Sequence, residues 1–251
     1  MFRPGQAAGA PVKAFAEDLA PGHDTGWHRH QRAQLVMSAA GTLTCETRDG
    51  TWVVPPDRAV WIPPGRQHRL TCNAAVAVRA LYFKRDFWDG GQRCRVLHLD
   101  PLLRALVLRA ATPTRGRPAK GAAERRLAVL RDELAAAAEA PLGLRLGEDA
   151  RLRRVTQRLA EEPADNRSLA AWGKAAAASE RTLARLFLAE TGLAFGQWRR
   201  QARLLKSLSL LAAGAPVTAA ALDLGYAGPS AFIQAFRRQF GTTPGRYLKE
   251  T

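Results

Sequence analysis

One stretch of this chain overlays on another. Set SERTLARLFLAETGLAFGQW (179–198) against GPSAFIQAFRRQFGTTPGRY (228–247). A constant offset of 49 then pairs Leu183 with Phe232, Phe187 with Phe236, Gly192 with Gly241, Gly196 with Gly245 and Trp198 with Tyr247. Upstream the offset is 48, pairing Leu169 with Val217 and Gly173 with Ala221. Self-similarity at a fixed period means that one supersecondary unit occurs twice, the second copy with one extra turn residue. No other feature narrows the fold as far.

Each copy reads as two helices joined by a tight turn. The spacing predicts a short first helix at about 168–176 and 217–224, and a second at about 180–190 and 229–239. Gly225 supplies the positive φ that closes a helix, and Gly192 and Gly241 stop the second helices. Thr243-Pro244 starts a further helix, a cap followed by Pro at the first helical position. The second helices bury Leu183, Leu186 and Phe187, or Phe232, Ile233, Phe236 and Phe240. Their outer faces carry Arg181 and Arg185, or Ser230, Gln234, Arg237 and Arg238. A helix about 10–12 Å across fits the DNA major groove, where Arg pairs bidentately with guanine and Gln with adenine. A plain helical bundle with a solvated basic face explains one such unit, but two matched copies much less readily. The formal charge of +16 and pI of about 11.1 agree, since a strongly basic chain meets polyanions, nucleic acid first. An Arg-rich genome produces the same excess, so the repeat and not the charge decides.

The second copy, GYAGPSAFIQAFRRQFGTTPGRY (225–247), resembles the signature GYxSxSxFxxxFxxxFGxTPxxY of the AraC/XylS family of bacterial transcription regulators. The resemblance covers about residues 149–251. It implies seven helices, two helix-turn-helix units joined by a long helix at about 196–213, and recognition helices in successive major-groove segments, ~34 Å apart. Double-stranded promoter DNA is the implied partner, with RNA polymerase a further one. The family's base-reading positions fall on Arg181, Ala184 and Arg185 in the first unit and on Pro229, Ser230 and Gln234 in the second. Ala184 and Pro229 offer no hydrogen-bonding side chain, which leaves Arg181, Arg185, Ser230 and Gln234. Lys174, Arg199, Arg237 and Arg238 read as phosphate contacts, which set affinity and salt dependence. The first unit departs from the family pattern at Ala177-Ala178, where Gly-Met is usual, and at Gly173. The second departs at Gly228, where Ser commonly caps the recognition helix. Ala in a left-handed turn costs on the order of 1 kcal/mol.

The front half has a different period. LVM (35–37), LTCET (43–47), TWVV (51–54), RAVWI (58–62) and AVAVRALYF (75–83) are short β-branched or aromatic runs divided by Ala-Gly, Asp-Gly and Pro-Pro turns, which suggests a small barrel or sandwich. Beyond residue 97 the period becomes helical. Asp100-Pro101 can start one helix, within about 98–110, and a second covers 122–139; these either cover the barrel or pair subunits. TPTRGRPAKG (112–121) reads as a loop and APLGLRLG (140–147) as a linker. The expected architecture is a two-domain α+β chain: a barrel at 1–97, a helical covering or dimerisation segment at 98–140, a linker at 141–148 and an all-α DNA-binding domain at 149–251.

Two segments of the front half share a further pattern. HDTGWHRHQRAQ (23–34) places His28 and His30 two apart, on one side if the segment is a strand, and PPGRQHRL (63–70) ends its PxGxxH at His68. Over about residues 20–85 this resembles the cupin signature HxHxxxE(x6)G … PxGxxH, with Gln34 in the Glu position. The resemblance implies an effector-binding barrel. Cupin enzymes hold a metal with three His and a carboxylate; here His28, His30 and His68 can still hold a divalent transition metal, or line a metal-free pocket, with Gln34 beside them. His23 and His98 fit no pattern, and Trp27, Trp52 and Trp61 read as barrel core. Cys45, Cys72 and Cys94 lie far apart without a CxxC pair, which suggests buried thiols rather than a disulfide frame or zinc finger.

The resulting expectation is a cytoplasmic, homodimeric, sequence-specific DNA-binding regulator, not an enzyme, whose barrel senses a small molecule or metal. No apolar run approaches the ~20 residues of a membrane span. The rival class is a cupin-type metalloenzyme with a helical appendage, against which Gln34 and the doubled unit both argue. An RNA-binding or scaffold role lacks an aromatic stacking platform.

Overall fold

The computed structural model describes residues 10–112 and 121–250, so the predicted loop at 112–121 lies almost wholly outside the described residues. The chain divides into two compact units, Met1–Thr47 with Trp52–Gly143, and Arg48–Thr51 with Leu144–Thr251.

The first unit is built on strands. β1 (Val12–Leu19), β2 (Ala33–Ala40), β3 (Leu43–Thr47), β4 (Gly50–Val54), β5 (Arg58–Ile62), β6 (His68–Thr71), β7 (Val76–Phe83) and β8 (Arg95–His98) come first. Helices α1 (Pro101–Ala111) and α2 (Ala122–Ala136) follow, then the short strand β9 (Glu139–Ala140), and β10 (Gly143–Arg145) runs across the boundary between the units. One sheet has the order β1-β7-β2-β5-β8-β9, the other β10-β4-β3-β6. β2 is buried along six successive residues because both of its faces are covered. Leu35 and Met37 join Trp61, Leu81 and Phe83 in a cluster that α1 completes with Leu103 and Val107, and α2 with Leu130 and Leu134. The alternate residues of β2, Gln34 among them, are left for the opposite face. Both helices therefore cover the six-stranded sheet. The Asp100 carboxylate caps α1 by accepting from the Leu103 amide at 2.7 Å, with Pro101 at the first helical position.

Several expectations need correction here. His28 and His30 do not lie on a regular strand: His28 forms only an isolated bridge with His68. The stretch expected as a linker contributes β10, and α2 stops at Ala136 because β9 follows. Trp52 and Trp61 are core, but Trp27 is 50% exposed, with the Arg69 guanidinium 5.4 Å from its ring centroid. All three cysteines are buried free thiols.

The second unit has seven α-helices among its described residues. They are α3 (Ala150–Glu161), α4 (Leu169–Ala175), α5 (Glu180–Leu186), α6 (Phe195–Ala212), α7 (Val217–Asp223), α8 (Pro229–Phe240) and α9 (Pro244–Glu250). The helix expected at 180–190 is α5 continued by one π turn, Phe187–Thr191. Leu183, Phe187, Phe232 and Phe236 are fully buried, as the overlay requires. Phe187 meets Trp198 at 5.9 Å between ring centroids, and Phe236 meets Tyr247 at 5.6 Å, so the paired positions pack alike. Residues 145–149 are held down on this unit. The Trp198 indole donates to the Arg145 carbonyl at 2.7 Å, and the Thr156 hydroxyl to the Leu146 carbonyl at 2.6 Å. The Glu190 carboxylate accepts from the Glu148 amide at 2.5 Å and the Asp149 amide at 3.0 Å.

Candidate DNA interface and effector site

The recognition helices are α5 and α8. In α5 the Ser179 hydroxyl accepts from the Thr182 amide at 3.0 Å, fixing the helix start just before Arg181. Leu183, Leu186 and Phe187 hold the inner face, so Arg181, Ala184 and Arg185 are left exposed. In α8, Phe232 and Phe236 anchor the inner face and Ser230, Gln234, Arg237 and Arg238 are exposed. Gly228 precedes α8 with extended backbone and no side-chain cap. Lys174 is exposed at the end of α4. Arg199 stands apart: it is half-buried, donates to the Arg167 carbonyl at 3.0 Å and lies 4.9 Å from the Phe195 ring centroid.

The turns around these helices explain two departures noted above. Ala177 adopts φ +53°, the left-handed conformation for which Gly is usual. A Cβ on Gly173 would lie 2.6 Å from the Ala178 carbonyl oxygen, so α4 and the turn approach too closely there for a side chain.

The second cluster belongs to the strand-rich unit. His28, His30 and His68 bring one ligand atom each to within 4.8 Å of one another. Their ring centroids are 4.3 Å (His28–His68), 5.0 Å (His30–His68) and 6.2 Å (His28–His30) apart. Each Nδ1 faces a backbone carbonyl: Gly26 at 3.0 Å for His28, Arg32 at 2.6 Å for His30 and Arg66 at 2.8 Å for His68. At His68 that pattern puts the proton on Nδ1 and leaves the Nε2 lone pair for a ligand, whereas His30 Nε2 is already met by the Gln34 side-chain oxygen. His68 Nε2 is fully buried and has no hydrogen-bond partner. Burial pushes the His68 imidazole down to about 4 and lowers that of His30 as well, so both are neutral at physiological pH.

Gln34 is fully buried beside them. Its side-chain oxygen lies 2.9 Å from His30 Nε2, and its NH2 donates to the Tyr82 hydroxyl at 2.8 Å, Tyr82 being its cross-strand partner on β7. Burial raises the Tyr82 phenol well above its usual range, so it stays protonated. The donor set fits a metal: three oriented imidazoles, one orphaned Nε2, and a buried amide.

Residues 14–162 match the family model of the AraC-like ligand binding domain, and residues 172–250 match that of a helix-turn-helix domain. The HTH-type transcriptional regulator NimR of Escherichia coli strain K12 is 36% identical over 221 residues, 88% of this chain and 81% of that protein. The chain belongs to the AraC family of transcription regulators. The HTH-type transcriptional regulator RipA of Corynebacterium diphtheriae is 28% identical over 210 residues, 82% of this chain and 59% of that protein. Among solved structures, ToxT from Vibrio cholerae aligns with a TM-score of 0.42 at 10% identity, covering 96% of this chain and 98% of that one. As an AraC-family regulator, the protein joins a ligand-binding domain to a DNA-binding helix-turn-helix domain.

Three residues that hold neighbouring segments in place escape the sequence patterns: Tyr82, Glu190 and Arg203. Arg203 on α6 donates to the Pro163 carbonyl at 2.7 Å, the Gly225 carbonyl at 3.1 Å and the Asn166 side-chain oxygen at 2.8 Å. Only the Gly-Tyr of the second copy hinted at such a partner, since its ring lies 5.7 Å from that guanidinium.

Proposed function

We propose that this regulator reads promoter DNA through Arg181 and Arg185 of α5 and Ser230 and Gln234 of α8, with Lys174, Arg237 and Arg238 gripping phosphates. The observation that carries this reading is an imbalance between the faces of these helices. Leu183, Leu186, Phe187, Phe232 and Phe236 are buried on the inner faces of α5 and α8, whereas the six side chains named on those helices, and Lys174 on α4, are exposed and engage no hydrogen bond or ion pair among the described residues. Arg199 contributes to phosphate binding only with what its backbone contact leaves free. Guanine is the expected partner of the arginines and adenine that of Gln234.

The same reading makes His28, His30 and His68 a site for a divalent transition metal, with Gln34 as a neutral fourth neighbour. Zinc, nickel, copper or iron suit such imidazoles. A resident ion would act as part of the effector site, holding the ligand that biases the regulator between arrangements suited to different promoter geometries. A non-catalytic role is supported by Gln34, which puts no carboxylate at the site for proton transfer. The working unit is a homodimer in the cytoplasm, with RNA polymerase as a further partner. Among the described residues no helix is long and apolar enough to cross a membrane.

The decisive experiment measures binding to the regulator's own promoter fragment against a scrambled fragment at matched salt. Retention of the promoter alone supports the assignment; equal binding to both sinks it. Elemental mass spectrometry of protein purified without chelator tests the metal. About one ion per chain, lost in the His28→Ala/His68→Ala double variant, is expected, and no ion in either protein retires the metal.

A further inference from the structure

The groups that converge on the histidine cluster share one property: none is negatively charged. His28, His30 and His68 turn Nδ1 to the carbonyls of Gly26, Arg32 and Arg66, and an imidazole brings no negative charge to a ligand. Gln34 is an amide, and the Tyr82 hydroxyl behind it accepts from that amide at 2.8 Å. No Asp, Glu or Cys belongs to the cluster among the described residues. The surrounding sequence is basic, with Arg29 and Arg32 on one segment and Arg66 and Arg69 on the other. The nearby carboxylates of Asp24 and Glu46 are already engaged by Arg69, at 3.4 and 2.9 Å.

A divalent ion among such ligands keeps its full charge in a site where His68 and Gln34 are both 0% exposed. Burying an uncompensated charge is far more costly than burying a paired one. Three-imidazole sites show the consequence: the ion lowers the pKa of its bound water to about 7, drawing an anion from solvent when the protein supplies none.

We propose that the effector of this regulator is an anion, a small carboxylate or oxyanion that binds through the metal and supplies the negative charge Gln34 lacks. This rests on the metal reading above. The selection is electrostatic: a neutral analogue of the same shape leaves the ion uncompensated and gains nothing from it. The coupling is also reciprocal, since the anion must tighten metal binding by the same factor as the metal tightens anion binding.

The test uses the full chain, stripped with chelator and reloaded with cobalt(II) in a buffer whose only other anion is weakly coordinating perchlorate. The visible cobalt bands are followed while acetate, or the neutral isostere acetamide, is added. Acetate is expected to shift the bands saturably and to tighten cobalt binding about tenfold or more, within the range by which groups around a metal tune its affinity. Acetamide should do neither. Gln34→Glu supplies an internal carboxylate, so it should bind cobalt more tightly without acetate and lose the acetate response. Should that variant fail to fold, the contrast between acetate and acetamide on the unaltered protein still decides. Cobalt binding with no response to acetate, or with equal responses to both additives, overturns the anionic effector and leaves the metal site standing. Failure to bind cobalt at all overturns both.

Discussion

Gly225 shows how much one missing side chain can position. It adopts φ +73°, and a Cβ there would lie 2.9 Å from the Ala164 carbonyl oxygen and 3.1 Å from its Cα. Gly192 has nearly the same backbone, φ +77°, but faces open space. The two separate a conformational cost from a steric one. Gly192→Ala should lose about 1 kcal/mol, the penalty for a left-handed alanine. Gly225→Ala should lose at least about twice that, because the chain cannot relax without moving the segment that Arg203 also holds. Thermal or urea denaturation of the two variants checks this, and equal losses would refute the close approach. The sequence shows the turn at Gly225 because its φ is a local matter. The approach of Ala164 is invisible there, because that neighbour comes from another part of the chain. At the sensor, His68 permits a second residue-scale prediction, for chelator-treated protein. Its folded pKa of about 4 lies below the unfolded value of about 6.5, so the unfolded state binds the extra proton between those limits. Stability is therefore complete above about pH 6.5, falls by up to about 3 kcal/mol as the pH drops to 4, and is flat below as far as this group is concerned. Melting curves of the unaltered protein and His68→Gln should diverge in that window, the variant losing less on acidification.

The two copies of the repeat hold their helices by different means. In the first, Ser168 caps α4 by accepting from Ala171 at 3.2 Å, and Ser179 caps α5. In the second, Pro216 and Gly228 occupy those places and neither provides a side-chain cap. α8 relies instead on aromatic contacts, Phe232 with Phe236 at 5.7 Å and Phe236 with Phe240 at 4.5 Å between centroids. Ser179→Ala should therefore cost about 1 kcal/mol, whereas Gly228→Ser should gain a few tenths by restoring the absent cap. Differential scanning calorimetry of the two variants measures both signs, and a Gly228→Ser that melts lower would show that the extended backbone there serves another contact. Most of these helices are legible from the repeat and its Gly and Pro punctuation. Strands β2 to β5 and β7 are legible for a similar reason, as apolar runs between turn residues. β1, β6 and β8 are not: β1 is an edge strand with mostly exposed or half-covered side chains, and β6 and β8 are four residues each. The histidines were legible as a spacing, but the isolated bridge that brings His28 to His68 depends on pairing between distant segments. Their convergence is a tertiary fact that the motif encodes only by resemblance.

At the scale of the whole molecule, the +16 charge and the specific face of the recognition helices act on DNA in separable ways. Each phosphate neutralised by a cation releases counterions, so affinity falls steeply with salt whatever the sequence bound. Base-edge contacts change the ratio between right and wrong sequences while adding little to that slope. Arg237 lies in the last turn of α8, away from the helix start that Ser230 and Gln234 share. Arg237→Ala should weaken promoter and scrambled DNA alike and reduce the slope of log K against log salt by about 1. Arg181→Ala should cost about 1–3 kcal/mol on the promoter alone and relax the preference at one base pair, leaving the slope nearly unchanged. Titrations of both variants on both fragments at four salt concentrations distinguish the roles. If Arg181→Ala lowers the slope and spares discrimination, Arg181 is a phosphate contact and the first unit reads bases through Arg185 alone. That outcome would mean that α5, with its left-handed Ala177 turn, sits more shallowly in the groove than α8 does.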